Sequence, residues 1–278
     1  MCVWSQGNLL PTGGLNVAVR ANVYASMSRV ILAADLVATA TLRVLAQTPP
    51  LTTNALVPVV GSVLGANDIK WKTDVELVNS GATEATVAIS LPTAPDQPML
   101  LLTMAPASTQ RFPDIAEAFG VDGALSPLLV QTMGRRSVTI RASAYGVRGA
   151  ETFKPEPIHV AYGDTYYPVR YLQGLSFNED FRTNIGLANL GDTDATFVLA
   201  AQRVPGRNLA VSRFTLPPNT LWHYSVQTLF PMITGGEDFS VLVESHAHNT
   251  YVYASVIENT TNEAHFINAV VAAPTQAP

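Results

Sequence analysis

Three side chains with metal-ligating chemistry are spaced two residues apart in the last quarter of the chain: Glu244, His246 and His248. Residues at this spacing project to the same face of a β-strand, and a carboxylate with two imidazoles suits zinc or copper. The competing interpretation is a solvated loop, because His248-Asn249 is typical of a turn. We expect no cofactor other than this candidate divalent metal, since the sequence has no glycine-rich phosphate loop.

Motifs for nucleophilic catalysis are missing. The chain has no Gly-x-Ser-x-Gly elbow and no Ser-x-x-Lys pattern, and its one cysteine is Cys2. The adjacent carboxylates Glu179 and Asp180 point to opposite sides of an extended chain, so we interpret them as loop charges. A Ser/His/Asp triad is a geometric arrangement that the sequence leaves open. We predict that the protein is not an enzyme, with a metal-dependent enzyme at Glu244, His246 and His248 as an alternative.

Aromatic residues gather in two stretches, around residues 162–171 and at residues 222–224. Exposed rings in a row bind sugars by stacking or anchor a protein partner. The alternative is that these rings pack a domain seam and a core. The candidate binding residues are Tyr166, Tyr167, Tyr171, Trp222 and Tyr224.

Composition excludes several classes of partner. The net charge is −5 and only 13% of residues are charged. A nucleic-acid-binding face needs clustered Lys and Arg, and Arg135-Arg136 is the one basic pair. A single cysteine also excludes an internal disulfide framework and a cysteine-based zinc site. Beyond the leader, no segment has the roughly 18 uninterrupted apolar residues that a membrane span needs.

A long stretch of sequence occurs twice, about 110 residues apart, and it must position the residues above. Residues 71–87 align with residues 181–197 without a gap, and we extend the register upstream by aligning residues 57–59 with residues 167–169. A repeat of this length is a whole domain, because ~100 residues can close a core. The seven identical pairs are Thr73/Thr183, Leu77/Leu187, Asn79/Asn189, Gly81/Gly191, Thr83/Thr193, Ala85/Ala195 and Thr86/Thr196.

Each copy has the period-two pattern of β-strands. Residues 71–77 and 181–187 alternate between an inward and an outward face, with Trp71 and Phe181 on the inward one. We interpret the next residues, 79–83 and 189–193, as hairpin loops in which Gly81 and Gly191 take a positive φ.

A short helical turn follows in each copy, with Asp114 or Ser225 as its N-cap and, in the first copy, Glu117 at the capping-box position. With about seven strands per copy, the sequence predicts an all-β fold of two tandem Ig-like antiparallel β-sandwich domains, each with one short helical turn.

The repeated motifs resemble tandem immunoglobulin-like repeats of secreted or surface proteins of Gram-negative bacteria. The matching motifs are Val-Pro-Val-Val-Gly-Ser at 57–62, an aromatic-basic-Thr-Asp/Asn pattern at 71–74 and 181–184, Asn-x-Gly-x-Thr, and a short helix that ends at a phenylalanine. The resemblance spans Leu56 to Val271 and implies a fold and export rather than an activity. The second copy departs from the pattern at Tyr171 and Leu172, where the first has Gly61 and Ser62.

The first 50 residues have no counterpart in the second copy. From Met27 the chain has a basic start, an apolar stretch and an exit at Val44-Leu45-Ala46 that is similar to a signal-peptidase site. Asp35 and Arg43 interrupt the apolar stretch, so an amphipathic or unstructured leader is the alternative. We expect a leader at 1–50 with an export signal at 27–46, domains at 51–162 and 163–272, and a tail at 273–278.

Together these patterns predict a non-catalytic module of structural, adhesive or protein-interaction type, secreted or at the cell surface, in the periplasm or on the outer surface of a Gram-negative bacterium. Its partner would be a protein or a cell-surface polysaccharide, and not a nucleic acid. The alternative is a carbohydrate-binding accessory module that uses the surface Tyr and Trp residues. An exposed planar row of aromatic rings would favour that alternative, and converging polar groups in a pocket would favour an enzyme.

Overall fold

The computed structural model describes residues 51–94, 96–133, 138–162, 167–204 and 207–271. Several sequence predictions lie outside these described residues: the leader 1–50 with its export signal at 27–46, the Arg135-Arg136 pair, Tyr166 and the tail 273–278. Within the described ranges, no helix is both long enough and apolar enough to span a membrane.

The first half of the described chain forms short strands and two helical turns. A 3₁₀ turn at Ala66–Asp68 follows β2, and helix α1 at Ile115–Ala118 follows β6. The strands are β1 (Leu51–Gly61), β2 (Val63–Leu64), β3 (Lys70–Asn79), β4 (Ala85–Ser90), β5 (Leu100–Met104), β6 (Ser108–Phe112), β7 (Leu125–Met133), β8 (Val138–Arg148), β9 (Glu151–Thr152), β10 (Glu156–Ile158) and β11 (Ala161–Tyr162).

The second half has a similar succession of elements, with helix α2 at Val226–Leu229 in the place of α1. Its strands are β12 (Val169–Phe177), β13 (Phe181–Asn189), β14 (Ala195–Val204), β15 (Arg207–Leu216), β16 (Thr220–Ser225), β17 (Gly236–Glu244), β18 (Thr250–Glu258), β19 (Ala264–Asn268) and β20 (Val270–Val271).

Antiparallel sheets are stacked as two sandwiches. In the first sandwich, sheet A has the order β11-β1-β7-β4-β5, and sheet B has the order β10-β8-β3-β2 with β6 also on β3 and β9 on β8. In the second, sheet C has the order β15-β14-β17-β12-β20, and sheet D has the order β16-β13-β18-β19. The orders match when β12 is placed on β1 and β13 on β3. The prediction of an all-β fold of antiparallel sandwiches is confirmed.

Each sandwich has its own apolar core, filled by the inward-facing residues of both sheets. Val75 and Val87 belong to the first core, and Ile185 and Phe197 belong to the second. The helical turns are too short to be stable alone and act as plugs, because they bury apolar side chains at an end of the cores. The plug residues are Ile115 and Phe119 in the first sandwich, and Val226, Leu229 and Phe230 in the second.

The loops after β3 and β13 are not hairpins, so that prediction is wrong. β3 lies in sheet B and β4 in sheet A, and likewise β13 lies in sheet D and β14 in sheet C. Each loop therefore crosses between the two sheets of its sandwich. The alternation of inward and outward residues along the strands is the same for a crossing loop as for a hairpin, so it could not distinguish them. The predicted positive φ is also wrong, because neither Gly81 nor Gly191 adopts one.

A buried asparagine closes each crossing loop instead. Asn189 Oδ1 accepts a hydrogen bond from the backbone N–H of Gly191 at 3.0 Å, and its Nδ2 lies 2.8–3.0 Å from the carbonyl oxygens of Thr193, Leu216 and Pro217. Asn79 makes the equivalent four contacts in the first sandwich, with Gly81, Thr83, Met104 and Ala105. Each asparagine thus links its crossing loop to the turn that follows β5 in the first sandwich or β15 in the second.

The predicted upstream register of the repeat is wrong as well. Thr73 Oγ1 donates to the carbonyl of Gly61, and the matching Thr183 Oγ1 donates to the carbonyl of Ser176, so Ser176 is equivalent to Gly61. Twelve residues separate Gly61 from Thr73, but only seven separate Ser176 from Thr183. The first sandwich therefore has a five-residue insertion, which accommodates β2 and the 3₁₀ turn. It follows that Arg170 is the counterpart of Ala55, and both pair with the short edge strand beside them.

The first helical turn lacks the predicted cap. Asp114 is its N-cap residue but makes no side-chain capping hydrogen bond, whereas Ser225 Oγ accepts from the N–H of Thr228 at 3.2 Å in α2. The Asp114 side chain is buried and its Oδ2 lies 3.1 Å from Lys72 Nζ. The ion pair with Lys72 has taken the carboxylate away from the helix.

Trp71 and Phe181 occupy matching strands, but neither ring is fully buried. Phe181 packs against the second core. Trp71 lies beside the insertion, where β3 pairs with β2, and a Cβ on Gly65 would lie 2.7 Å from its ring. Trp71, which we expected on the inward face, thus lies beside the insertion rather than in the core, because only the first sandwich carries the insertion.

The two sandwiches belong to one compact unit, Pro50–Pro278. Phe266 of β19 packs against the core of the first sandwich. Asn67 Nδ2 donates to Asn262 Oδ1 at 3.2 Å, and His265 Nδ1 lies 3.6 Å from Glu156 Oε1. The contact surface between the sandwiches is called the seam below.

Candidate functional site

The five predicted binding residues do not form one site. Trp222 and Tyr224 line a cleft at the seam, and Tyr167 lines a second, smaller pocket there. Tyr171 lies on the outer face of sheet C, and Tyr166 is outside the described residues. Rings that are close in the sequence are therefore distributed over separate surfaces.

The larger cleft, called the seam cleft, has a volume of about 580 Å³. Val63, Leu64 and Trp71 of the first sandwich form one wall, and the outer face of sheet D forms the other. Leu64 is 71% exposed, although it belongs to the apolar wall. Ligand pockets typically enclose ~300–1,000 Å³ with mainly apolar walls and a few polar groups, so the cleft has the size and character of a binding site.

An aromatic stack forms the wall on sheet D. The rings of His223 and Tyr253 are stacked at 5.7 Å, and those of Tyr253 and Phe266 at 5.1 Å. Gly186 is on β13, the strand between β16 and β18, and pairs with His223 on one side and with Tyr253 on the other. The missing side chain of Gly186 leaves the space that the Tyr253 ring fills.

The imidazole of His223 and the hydroxyl of Tyr253 are held neutral. Burial lowers the pKa of His223 to about 4 and raises the pKa of Tyr253 above its ordinary value. His223 Nδ1 and Tyr253 OH lie 2.9 Å apart and form a hydrogen bond between neutral groups. At neutral pH the stack is therefore an apolar wall with one internal hydrogen bond rather than a charged acid-base pair.

The aromatic rings on β16 do not form a planar row. Trp222 meets Phe214 at 73° and Tyr224 at 78°, with ring centroids 5.8 and 5.6 Å apart. In such edge-to-face packing each ring covers part of its neighbour, so the three rings share no common flat surface. Trp222 also packs against the second core, as the alternative sequence interpretation had it.

Polar groups at the cleft are partly occupied by internal contacts. Arg182 Nη1 donates to Asn259 Oδ1 at 2.8 Å and Nη2 to Asn262 Oδ1 at 3.2 Å, and burial lowers the pKa of this guanidinium. Asn184 and Ser255 form a cross-strand pair beside it on the same face. These groups give the cleft hydrogen-bonding partners for a polar ligand.

The three candidate metal ligands are not gathered into a site. Strand β17 ends at Glu244, so the period of two does not continue to His246 and His248. Glu244 Oε1 lies 3.0 Å from His246 Nε2, and both side chains are largely exposed, as is His248. In the part of the chain that the structure describes, no group of three or more His, Cys, Asp or Glu side chains is arranged to hold a metal ion.

Strand β15 presents a long open edge. This ten-residue strand pairs with β14 on one side, and on its other side it pairs with no strand of the described ranges. Leu209 and Val211 are 50% and 57% exposed on its outer face, between the exposed Arg207 and Arg213. The corresponding edge strand of the first sandwich, β5, has only five residues. Proteins usually shorten or cover such edges, because unpaired backbone groups recruit another strand.

An apolar row crosses the whole outer face of sheet C from this edge. The ladder pairings place its members side by side: Val211, Ala200, Leu242, Tyr171 and Val270. Both ends of the row are at least half exposed, and Leu242 and Tyr171 are partly exposed between them. We call these residues the apolar row. Tyr171 thus belongs to a row of residues from five strands, in which Ala200 is buried and the other four members are exposed or partly exposed.

Four cleft residues were not predicted from the sequence: Trp71, His223, Tyr253 and Phe266. The first was assigned to a core by its parity, and the other three come from strands that meet only in the folded sheet. Gly186 is a sequence signal that could have indicated this place, since a glycine within a strand often marks a close approach.

Comparisons with known proteins leave the family of this chain open. No protein-family model matches the chain, and no curated protein matches it. Among solved structures, a Bacteroides uniformis beta-glucuronidase 2 covalently bound to cyclophellitol-6-carboxylate aziridine matches at 10% identity with a TM-score of 0.17, over 73% of this chain and 25% of that one. A calcium-binding mutant of the same enzyme matches at 8% identity with a TM-score of 0.16, over 75% and 27%. This chain spans about a quarter of the length of these neighbours.

Proposed function

We propose that this protein is a non-catalytic protein-interaction module that binds an extended segment of a partner protein along β15. The segment adds as a further strand to sheet C, and its outward side chains lie beside Leu209 and Val211, so that the added strand extends the apolar row. The observation that carries the proposal is the ten-residue open edge with Leu209 and Val211 exposed on it. In strand addition, main-chain hydrogen bonds supply affinity and alternate side chains supply specificity.

The charges on the edge indicate the chemistry of the partner segment. Arg207 and Arg213 flank the exposed apolar residues, and β15 contains no acidic residue. A strand with two apolar residues two positions apart, and with an acidic residue two positions beyond each of them, has all four side chains on one face. Such a strand would cover Leu209 and Val211 and pair with both guanidinium groups. Exposed apolar residues at the centre and charges at the rim are the arrangement of a protein interface.

The place of action is part of the same proposal. We propose that the module works outside the cytoplasm, in the periplasm or at the cell surface of a bacterium. The support for this is the export signal that the sequence predicts at residues 27–46, together with the resemblance of the repeats to those of secreted proteins.

Peptide selection followed by hydrogen exchange tests the binding mode. Linear peptides selected on the protein should have apolar residues at two positions i and i+2 and acidic residues at i−2 and i+4, and their binding should slow amide exchange in residues 207–216. The double variant L209K/V211K should weaken binding about tenfold or more, because it removes the apolar contact and adds repulsion. L101K is the matched control, since Leu101 is 60% exposed on β5, the equivalent edge strand. Bound peptides that leave β15 amides unprotected, or that bind L209K/V211K as well as L101K, would overturn the proposal.

A second candidate function is carbohydrate binding in the seam cleft. It is favoured by the aromatic side chains of Trp71, Trp222 and Tyr224 around polar groups in a cleft of about 580 Å³. It ranks lower because the edge-to-face rings provide no planar platform. A glycan array should then give binding that W222A and Y224A each abolish, and that L209K/V211K leaves unchanged.

A further inference from the structure

Arg170 is a buried cation, and no carboxylate of the described residues pairs with it. Its side chain is 4% exposed, and its hydrogen bonds go from Nη1 to the Thr250 carbonyl at 2.7 Å and from Nη2 to Thr250 Oγ1 at 2.8 Å. Nε has no hydrogen-bond partner. An arginine has five N–H donors, so several remain for a ligand. A buried charge without a counter-ion is costly, because the lost hydration is not replaced.

The fold itself does not need an arginine at this position. Its counterpart in the first sandwich is Ala55, which is 1% exposed and belongs to the first core. The two residues have equivalent ladder partners, since Ala55 pairs with Val130 and Tyr162, and Arg170 pairs with Val243 and Val271. A small apolar residue therefore suffices for the strand, and the guanidinium must be explained by something other than packing.

The Arg170 side chain lines a pocket of about 370 Å³ at the seam. His159 and Tyr162 from the first sandwich and Tyr167 from the second are among its polar residues. Tyr162 and Tyr167 are 49% and 44% exposed, so the pocket opens to solvent beside them. Apolar side chains such as Val160 and Val252 complete the wall. The pocket can thus hold a small molecule with an apolar body and one polar end.

We propose that this pocket binds a carboxylate, with Arg170 as its counter-charge. The planar guanidinium matches a carboxylate in shape and can donate two parallel hydrogen bonds to it. One buried cation balances one negative charge, which favours a monoanion with an apolar body over a phosphate dianion. The carboxylate belongs either to a free organic acid or to the C-terminus of a peptide, and both present the same group to Arg170.

Benzoate and benzamide form a matched pair of probes, because they have nearly the same shape and differ in charge. Benzoate should bind in calorimetry and raise the melting temperature with concentration. Benzamide should bind about tenfold or more weakly. An acetylated tripeptide with a free C-terminus, compared with its amidated form, distinguishes the peptide source from a free acid. Equal binding of benzoate and benzamide, or no binding of any carboxylate probe, would overturn the proposal.

Variants locate the binding at Arg170. R170M should lose the preference for benzoate over benzamide without a lower melting temperature, because the equivalent position in the first sandwich is apolar. Y167A, at the open side of the pocket, should weaken benzoate binding several-fold in a folded protein, and it keeps the test valid if R170M does not fold. D164N is a further control, because it removes the carboxylate of Asp164, which is close to Arg170 in the sequence. If D164N creates benzoate binding that the unmodified protein lacks, Asp164 is the counter-charge of Arg170 and the proposal fails.

Discussion

The ring of Tyr253 lies where Gly186 would carry a side chain. A Cβ atom on Gly186 would lie 2.1 Å from Cε1 and Cζ of Tyr253, far inside van der Waals contact. The ring cannot move away easily, because it is fully buried between the rings of His223 and Phe266. Gly186 and Tyr253 therefore fit together as slot and ring, and this pair shapes the wall of the seam cleft.

Substitution of Gly186 by alanine should destabilise the protein by about 2 kcal/mol or more, because overpacking forces a rigid ring out of its site. Urea unfolding measures the change in free energy. Gly235→Ala is the matched control, since a Cβ there would meet only the Phe177 carbonyl oxygen at 3.5 Å. A Gly186→Ala protein as stable as the Gly235→Ala protein would show that the slot is not tight.

Replacement of Asn189 by alanine should cost about 2–3 kcal/mol of unfolding free energy, because it leaves buried backbone groups without their hydrogen bonds. Asp192→Ala in the same loop should change stability by a few tenths of a kcal/mol, since Asp192 is exposed. Chemical denaturation of both variants provides the comparison. A larger loss for Asp192→Ala, above all one that depends on calcium, would instead indicate a metal site in this loop.

Lys72 and Lys70 form ion pairs that differ in burial, so their variants test how burial changes the contribution of an ion pair to stability. Lys72→Met should destabilise the first sandwich by about 1–3 kcal/mol, because it strands the buried carboxylate of Asp114. Lys70→Met should cost about 0.5 kcal/mol or less, since its pair with Asp122 is exposed. The difference between the two melting curves is the measurement, and equal curves would contradict the expected role of burial.

Stability should fall as the pH is lowered from about 6.5 to about 4, in part because of His223. The unfolded chain takes up a proton on this histidine near pH 6.5, whereas burial holds the pKa in the folded protein at about 4. The unfolded state therefore binds more protons in this window, and up to about 3 kcal/mol is lost as the pH falls. Urea unfolding at pH 7 and pH 4.5 measures the loss, and His223→Asn should show a smaller one because it cannot be protonated. Equal losses in both proteins would mean that His223 is not buried in this way.

Local sequence patterns were enough to predict the strands, which of their residues face inward, and the sandwich architecture. The alternation at residues 71–77 and 181–187 identified the strands of the core, because a period of two reflects one buried face. The same alternation could not tell a hairpin from a crossing, since both connect two strands with the same pattern. The loops after Asn79 and Asn189 were therefore assigned to the wrong kind of connection.

Local sequence patterns also could not give the alignment of the two copies upstream of the insertion. The short match of residues 57–59 with residues 167–169 was followed without a gap, although the structural match aligns Ala55 with Arg170. Ladder pairing and the hydrogen bonds of Thr73 and Thr183 reveal the offset, and both require partners that are distant in the chain.

By itself, the sequence determined that this chain repeats, that it forms strands and that its strands have an inner and an outer face, because these properties depend on neighbouring residues. Only the tertiary structure decided which outer faces stay open and which side chains meet. The apolar row joins residues from five strands, the stack of His223, Tyr253 and Phe266 comes from three, and the pocket at Arg170 is lined by residues of both sandwiches. Such surfaces arise from contacts between segments that are far apart along the chain, and no local pattern encodes them.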